Sequence, residues 1–306
     1  MLKTKSKQSE SLSFQKSQKH FLIYWFIFWT IFLCVLGIFF TPFVKAFALQ
    51  THVAPPSIKS TSAPLSKKLV PTKVLSATSA PVQTYSGYCL RVPVLMYHHI
   101  QPWADAQVKK QISLTVDNGT FENQMAYLQS HGYQSATAKA LVDALRNHSG
   151  LPAKTVVLTF DDGYRDNYTY AFPVLKKYGL TGNLLLASGL MEGPDYLTWS
   201  QVSDMKSNYY FVDHTWSHAS LGNAAADKIH YEVETAKNQI QDHTGQTVDI
   251  FGYPYGSFGS GVISILQADG FLGAFSTIPG TMQCDSFIMA LHRTRIGNSS
   301  LAGYGL

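Results

Sequence analysis

Thr155-Val-Val-Leu-Thr-Phe-Asp-Asp-Gly-Tyr164 sets two neighbouring carboxylates, Asp161 and Asp162, at the end of an apolar, β-branched run. Such a run reads as a buried strand, and Gly163 lets the chain turn sharply away from its C-terminal end. Adjacent anions repel each other and are costly to hold together without a cation or a proton-transfer task. About fifty residues later, Asp213-His-Thr-Trp-Ser-His218 presents His214 and His218 four positions apart. One carboxylate with two imidazoles is a ligand set for a catalytic divalent cation, Zn²⁺ first among them, with a position left open for water. The other carboxylate then remains as a base. The pattern is that of a metal-assisted hydrolase.

Each half of the pattern is weak alone. Asp-Asp-Gly often marks only a turn after a strand, and paired histidines are often surface or core residues. Adjacent aspartates also suit phosphoryl transfer, but the chain lacks a Gly-rich phosphate loop with Lys, and that chemistry has no use for the histidine pair. The two motifs together favour a metal site.

The 306 residues, 45% hydrophobic, allow one sizeable domain with attachments. The net charge of +5 is an average over two unlike regions. Residues 1–90 carry ten Lys and one Glu, whereas residues 91–306 carry fourteen Lys/Arg against eighteen Asp/Glu. The globular part is therefore mildly acidic, which argues against nucleic-acid binding. Residues 1–20 form a basic cytoplasmic segment, and residues 21–44 are uncharged and dense in Phe, Ile, Leu and Trp. At about 1.5 Å per residue that run could cross a bilayer core of about 30 Å. The lysines before it place the rest of the chain outside. Ala46-Phe-Ala48 is a small-x-small cleavage site, so the run serves either as a retained membrane anchor or as a signal cut after Ala48. Residues 45–90, rich in Ser, Thr, Pro and Lys, read as a disordered stalk before the domain at 91–306. Cys34 lies in the apolar run, leaving Cys89 and Cys284 either to pair in an oxidising space or to remain as two thiols.

From Arg91 the pattern alternates strands and helices. Strands are expected at 92–97, 156–160, 182–187, 209–212, 248–252, 271–276 and 287–291. Helices are expected from an N-cap at Thr120 to Gly132, and over 138–147, 167–178, 198–206, 224–243 and 262–268, with Pro173 bending or starting its helix. This alternation predicts an α/β fold with a parallel sheet and a site at the C-terminal strand ends. Four strands end in reactive clusters: His98-His99, Asp161-Asp162, His214…His218 and Tyr253-Pro-Tyr-Gly256. A barrel would converge them most easily.

At this point the chain resembles the polysaccharide deacetylases of the NodB-homology type, carbohydrate esterase family four, over residues 91–300. Thr159-Phe-Asp-Asp-Gly-Tyr164 resembles the family's first motif, His214-Thr-Trp-Ser-His218 the second, Gly252-Tyr-Pro-Tyr-Gly256 the third and Leu197-Thr-Trp199 the fourth. Pro93-Val-Leu-Met-Tyr-His-His-Ile100 is similar to the circularly permuted branch that deacetylates poly-β-1,6-N-acetylglucosamine. The resemblance implies a distorted (β/α)₇ barrel that removes N-acetyl groups from an N-acetylglucosamine polysaccharide. It implies Asp162, His214 and His218 as metal ligands, Asp161 as general base and the Tyr255 backbone N–H as oxyanion donor. Trp199, Tyr164 and Tyr253 are the implied substrate-binding residues. Gly252 stands where the family usually has Arg, so Arg293 or Arg295 would have to orient Asp161, with Arg293 the candidate carried forward. The usual Leu-x-His is shortened to Leu291-His292, which makes His98 the expected general acid and His292 the alternative. Asp213 is either a partner of an imidazole or a strand-end carboxylate. A glycan-binding protein on a decayed scaffold and an O-acetyl esterase are the competing functions.

Overall fold

The computed structural model describes residues 85–306. The basic segment, the apolar run and nearly all of the stalk lie outside the described residues, as do Cys34 and the cleavage site at Ala48. Among the described residues no helix is long and apolar enough to cross a membrane.

The strands in chain order are β1 (Cys89–Arg91), β2 (Val94–Tyr97), β3 (His99–Gln101), β4 (Thr115–Asp117), β5 (Gln134–Ala136) and β6 (Thr155–Phe160). They continue with β7 (Gly182–Leu186), β8 (Tyr209–Asp213), β9 (Ile250–Gly252), β10 (Gly273–Phe275), β11 (Met282–Cys284) and β12 (Thr294–Arg295). The main sheet runs β10-β9-β8-β7-β6-β2-β12, with β5 alongside the first half of β6, and every pairing in it is parallel. A parallel bridge between Phe275 and Leu291 draws the lead into β12 against the β10 edge. There the Ser276 N–H donates to Leu291 O at 2.9 Å and the Leu291 N–H to Ala274 O at 2.8 Å. The result is an α/β fold on a curled parallel sheet.

Strand alternation divides the core. Val94, Val157, Leu185, Val212, Ile250, Phe275 and Leu291 share one cluster on the inner face of the curl. The helix α3 (Ala138–Arg146) adds Leu141, Val142 and Leu145 to it, with Val142 lying over the start of β10 at Gly273. Leu95, Tyr97, Val156, Leu158, Phe160, Leu184 and Phe211 point the other way, toward the surrounding helices. These helices are α1 (Trp103–Lys109), α2 (Asn118–Ser130), α4 (Phe172–Tyr178), α5 (Trp199–Met205), α6 (Ala226–Thr244) and α7 (Ser260–Ala268). Each fully buried Leu, Val or Phe stabilises the fold by roughly 1.5–3 kcal/mol, which is why β6 is buried along its whole length.

The expected elements are present within a residue or two at most positions. Two expectations are corrected. Helix α2 starts at Asn118 because Asp117, not Thr120, accepts the Gly119 and Thr120 N–H groups. The segment expected as a strand at 287–291 is mostly short 3₁₀ turns over Asp285–Ala290, which shorten the path from β11 to the bridge at Leu291. Pro173 sits in the first turn of α4, where a missing N–H costs nothing, and a wide π turn at Asn167–Ala171 precedes it.

Strands β1 and β11 pair antiparallel with Cys89 opposite Cys284, and the two sulfurs are bonded across 195 residues of chain. A bond closing so long a loop restricts the unfolded chain, typically by about 2–4 kcal/mol. Replacing both cysteines by serine, or adding reductant to the wild type, should lower the unfolding free energy in urea by that amount. An unmoved urea midpoint in reductant would show that the ribbon holds without the bond.

Candidate metal centre and cleft

Asp161 follows the inner-face residues Val157 and Thr159 on β6, so alternation turns its carboxylate into the curl. Arg293 meets it there through two hydrogen bonds, Nη1 to Oδ1 at 2.6 Å and Nη2 to Oδ2 at 2.8 Å. Both side chains are buried, and the guanidinium is otherwise satisfied by Thr159 Oγ1 at 3.1 Å and Ser276 O at 2.9 Å. A bidentate, fully hydrogen-bonded pair is the form in which a buried ion pair is tolerated. Burial alone would raise the Asp161 pKa, but the Arg293 charge and hydrogen bonds, with His98 and His214, hold it below the ordinary carboxylate value.

Gly252 explains why the arginine comes from elsewhere. A Cβ built there would lie 2.3 Å from Leu185 Cδ2, so a side chain at that position would have to displace the buried Leu185. Leu291, Arg293 and Arg295 instead share the inner face of the returning segment, and His292 is turned outward. Gln283 fixes that register: its Oε1 accepts the His292 N–H at 2.9 Å and its Nε2 donates to His292 O at 3.0 Å and Val92 O at 3.1 Å.

Asp162 lies just past β6 with φ +75°, and Gly163 follows at +80°, where a Cβ would meet Met191 Cε at 2.6 Å. This turn aims Asp162 Oδ1 at His214 Nε2, 3.3 Å away, and His218 Nε2, 3.0 Å away. His214 Nδ1 is bound to Gly252 O at 2.7 Å, and His218 Nδ1 meets the Tyr255 hydroxyl at 3.0 Å. The first contact makes Nδ1 the protonated atom and leaves Nε2 a lone-pair donor. Asp162 Oδ1 is buried without a hydrogen-bond partner, and ligand atoms of the three residues lie within 4.8 Å of one another. A carboxylate and two imidazoles facing one point fit a divalent cation. The second histidine is placed by a residue the sequence did not single out: buried Glu232 on α6 accepts the Ser217 N–H at 2.8 Å and the Ser217 hydroxyl at 2.6 Å. Asp213 does not touch an imidazole; its Oδ1 caps the Thr215 N–H at 2.8 Å.

These residues line a cleft of about 640 Å³ together with His98, Tyr164, Tyr196, Tyr253, Tyr255 and Arg295. His98 sits at the break between β2 and β3 and faces the cleft, while His99 faces away from it. Burial lowers the His98 pKa, and the opposing pull of Asp161 and Asp162 does not restore it. His292 stacks on Phe287 at 4.5 Å outside the cleft, so the alternative acid is set aside. One implied substrate contact needs correction. Trp199 stacks on His243 of α6 at 4.1 Å and does not line the cleft, because the Thr198 capping box starts α5 against α6. Tyr253 lines the cleft wall from a fully buried position, its hydroxyl donating to Met289 O at 2.8 Å. Tyr196, which the sequence did not mark, stacks on Tyr164 at 5.3 Å and forms the lip.

The Asp161–Arg293 pair yields a stability prediction. Arg293→Leu leaves a buried carboxylate unpaired and should destabilise the protein by roughly 3–5 kcal/mol. Because the folded Asp161 pKa is depressed, the pair's contribution is present above the unfolded value of about 3.9 and fades as pH falls through the lower folded value. Arg293→Leu should therefore flatten the acid limb of a stability-versus-pH curve; an unchanged limb would show that the pair contributes nothing.

The polysaccharide deacetylase family model matches residues 148–274. YxkH of Bacillus subtilis, named as a polysaccharide deacetylase, is 30% identical over 220 residues, covering 72% of this chain and 75% of its own. The poly-β-1,6-N-acetyl-D-glucosamine N-deacetylase of Escherichia coli K12 is 26% identical over 140 residues, 40% of this chain and 20% of that protein. The solved structure of the Streptococcus pyogenes deacetylase PplD in complex with acetate matches with a TM-score of 0.65 at 26% identity, covering 70% of this chain and 97% of that one. With three of its four motifs meeting in one cleft and its sequence aligned along most of a relative's length, this chain belongs to the polysaccharide deacetylase family.

Proposed function

We propose that the protein is an extracytoplasmic, metal-dependent N-deacetylase on a distorted (β/α)₇ barrel. Its substrate is an N-acetylglucosamine polymer of the cell surface, poly-β-1,6-N-acetylglucosamine or peptidoglycan. The observation that carries this is the meeting of Asp162, His214 and His218 in one cleft with Asp161 and His98. The E. coli relative's name supports the polymer class. The Cys89–Cys284 bond supports an oxidising compartment outside the cytoplasm, in line with the export signal expected in residues 21–44.

A divalent cation held by Asp162, His214 and His218, Zn²⁺ or another that this donor set accepts, supplies electrophilic polarisation of the acetamide carbonyl and of water. The remaining work falls to the chain. Asp161, kept ionised and aimed by Arg293, takes the proton of the attacking water. The Tyr255 N–H, on the turn set by its φ of +59°, donates to the developing oxyanion. An amide nitrogen leaves only when protonated, and His98 is the cleft group placed to deliver that proton. The resting imidazole has a lowered pKa. Negative charge growing on the acyl oxygen raises its proton affinity, so that the proton Asp161 removes from water can pass to His98 and on to the leaving nitrogen. Tyr164 and Tyr196 present ring edges and hydroxyls to the sugar at the cleft wall.

Purified protein should release acetate from N-acetylglucosamine oligomers, and chelation should abolish this. Asp161→Asn should lower kcat by at least about a thousandfold while keeping the metal stoichiometry. His98→Ala should impair N-acetyl release far more than O-acetyl release, since an alkoxide leaves without full protonation. Near-wild-type turnover by Asp161→Asn would remove the base assignment. An O-acetyl preference in the wild type would replace the amidase reading with an esterase one.

A further inference from the structure

A general acid has to stand within hydrogen-bond reach of the atom it protonates, yet the His98 imidazole has no hydrogen-bond partner among the described residues. Its aim is therefore set by the backbone. Rotation about χ1 chooses among a few staggered positions, but φ and ψ decide where the Cα–Cβ bond points. His98 is the one residue between β2 and β3. Those strands belong to different sheets, so regular strand pairing does not fix the residue between them.

The chain from Asp161 to Asn167 does so instead. The Asp161 N–H donates to Tyr97 O at 2.9 Å, which holds the peptide group before His98. Asn167 Nδ2 donates to His98 O at 3.0 Å, which holds the peptide group after it. Asp166 grips the next link: its Oδ1 accepts the Ile100 N–H at 3.1 Å, and its Oδ2 meets His99 Nδ1 at 2.5 Å. The His99 ring also stacks on Tyr164 at 3.6 Å and is buried, so residue 99 is pinned away from the cleft. Alternation then leaves His98 the inward direction. Asn167 is fully buried, where a hydrogen bond is stronger than in water. Neither Asp166 nor Asn167 lines the cleft, and the deacetylation chemistry gives them no task.

We propose that Asp166 and Asn167 are positioning residues for His98, a clamp on the backbone from residue 98 to residue 100 that turns this histidine, and not its neighbour, into the cleft. One stretch of chain, 161–167, then carries the base and aims the acid, so the spacing of the two is set locally and not across the whole fold. The proposal rests on the reading of His98 as the general acid of an N-deacetylase.

Two acetyl donors separate aiming from structural support: a β-1,6-linked N-acetylglucosamine pentamer, whose amine leaves only when protonated, and an aryl acetate, whose phenolate leaves without a proton. Asp166→Ala and Asn167→Ala should each lower kcat on the pentamer about thirtyfold, part of the roughly 10²–10⁴ that a placed acid contributes, with KM little changed. Aryl acetate turnover and metal stoichiometry should hold. Asp166→Asn keeps an acceptor for the Ile100 N–H and, with the His99 proton moved to Nε2, a donor to Nδ1, so it should recover most of the pentamer rate. In a His98→Ala background neither alanine variant should lower that rate further, since both act through the missing ring. Parallel losses on the two donors, or an undiminished loss in the His98→Ala background, would overturn the proposal and leave the pair as support for the fold. A second readout needs no turnover. Carbethoxylation of the metal-free protein, mapped by mass spectrometry, should mark His98 and spare His99 in the wild type, and should mark His99 in Asp166→Ala. Protection of His99 in that variant would overturn the clamp. If His98→Ala itself keeps the pentamer rate, the acid reading fails, and the labelling still decides whether Asp166 sets which histidine faces the cleft.

Discussion

Two carboxylates on consecutive residues cannot both stay ionised in a buried cleft unless each has its own positive partner, and the rest of the fold follows from that constraint. Asp161 is answered by Arg293, which arrives from a segment 132 residues away. Asp162 is answered by His214 and His218 and by the cation that their arrangement fits. Each carboxylate loses solvation on burial, which raises its pKa, and each is returned to the ionised range by its own partners. The pair is thereby split into two environments, Asp162 against the two imidazoles and Asp161 against the guanidinium, which suits the two roles proposed for them.

Bringing Arg293 to Asp161 makes demands far from the cleft. The segment after Leu291 must lie beside β2 in the single register that turns residues 291, 293 and 295 inward. A one-residue slip would exchange Arg293 for His292. Gln283 prevents the slip by gripping both backbone groups of His292, and the adjoining Cys284 ties the same ribbon to Cys89 at the start of the domain. The disulfide thus anchors the ribbon whose Gln283 holds the segment leading to the guanidinium. The same alternation, applied to β2, decides which of His98 and His99 serves the cleft.

Much of this was legible from residue order. The Thr155–Phe160 run, the Asp161-Asp162-Gly163 turn and the His214…His218 spacing identify the centre because apolar continuity and ligand chemistry are local properties. The partners of those residues are not local. Glu232 and Gln283 carry no motif; their roles arise only when helix α6 and strand β11 are packed. Trp199 shows the converse error, since a motif match put an aromatic ring in the cleft where the capping box at Thr198 points it at His243. The mistaken strand at 287–291 has a similar origin: Phe-Ile-Met-Ala-Leu has strand-like composition, but the Phe275–Leu291 bridge leaves too short a path for extended chain.

Four of the eight non-glycine residues with positive φ among the described residues lie at the same place. Asp162, Thr215, His218 and Tyr255 all have positive φ, at 75°, 65°, 58° and 59°, although none is glycine. Each such residue costs of order 1 kcal/mol or more and persists only where its surroundings over-determine it. The surroundings here are specific: the Glu232 carboxylate under Ser217, the Asp213 cap on Thr215, and the Tyr253 hydroxyl anchored to Met289 before the Tyr255 turn. The turns so held fix Asp162, His214 and His218 in one arrangement, so that binding a cation there need not also pay for ordering them.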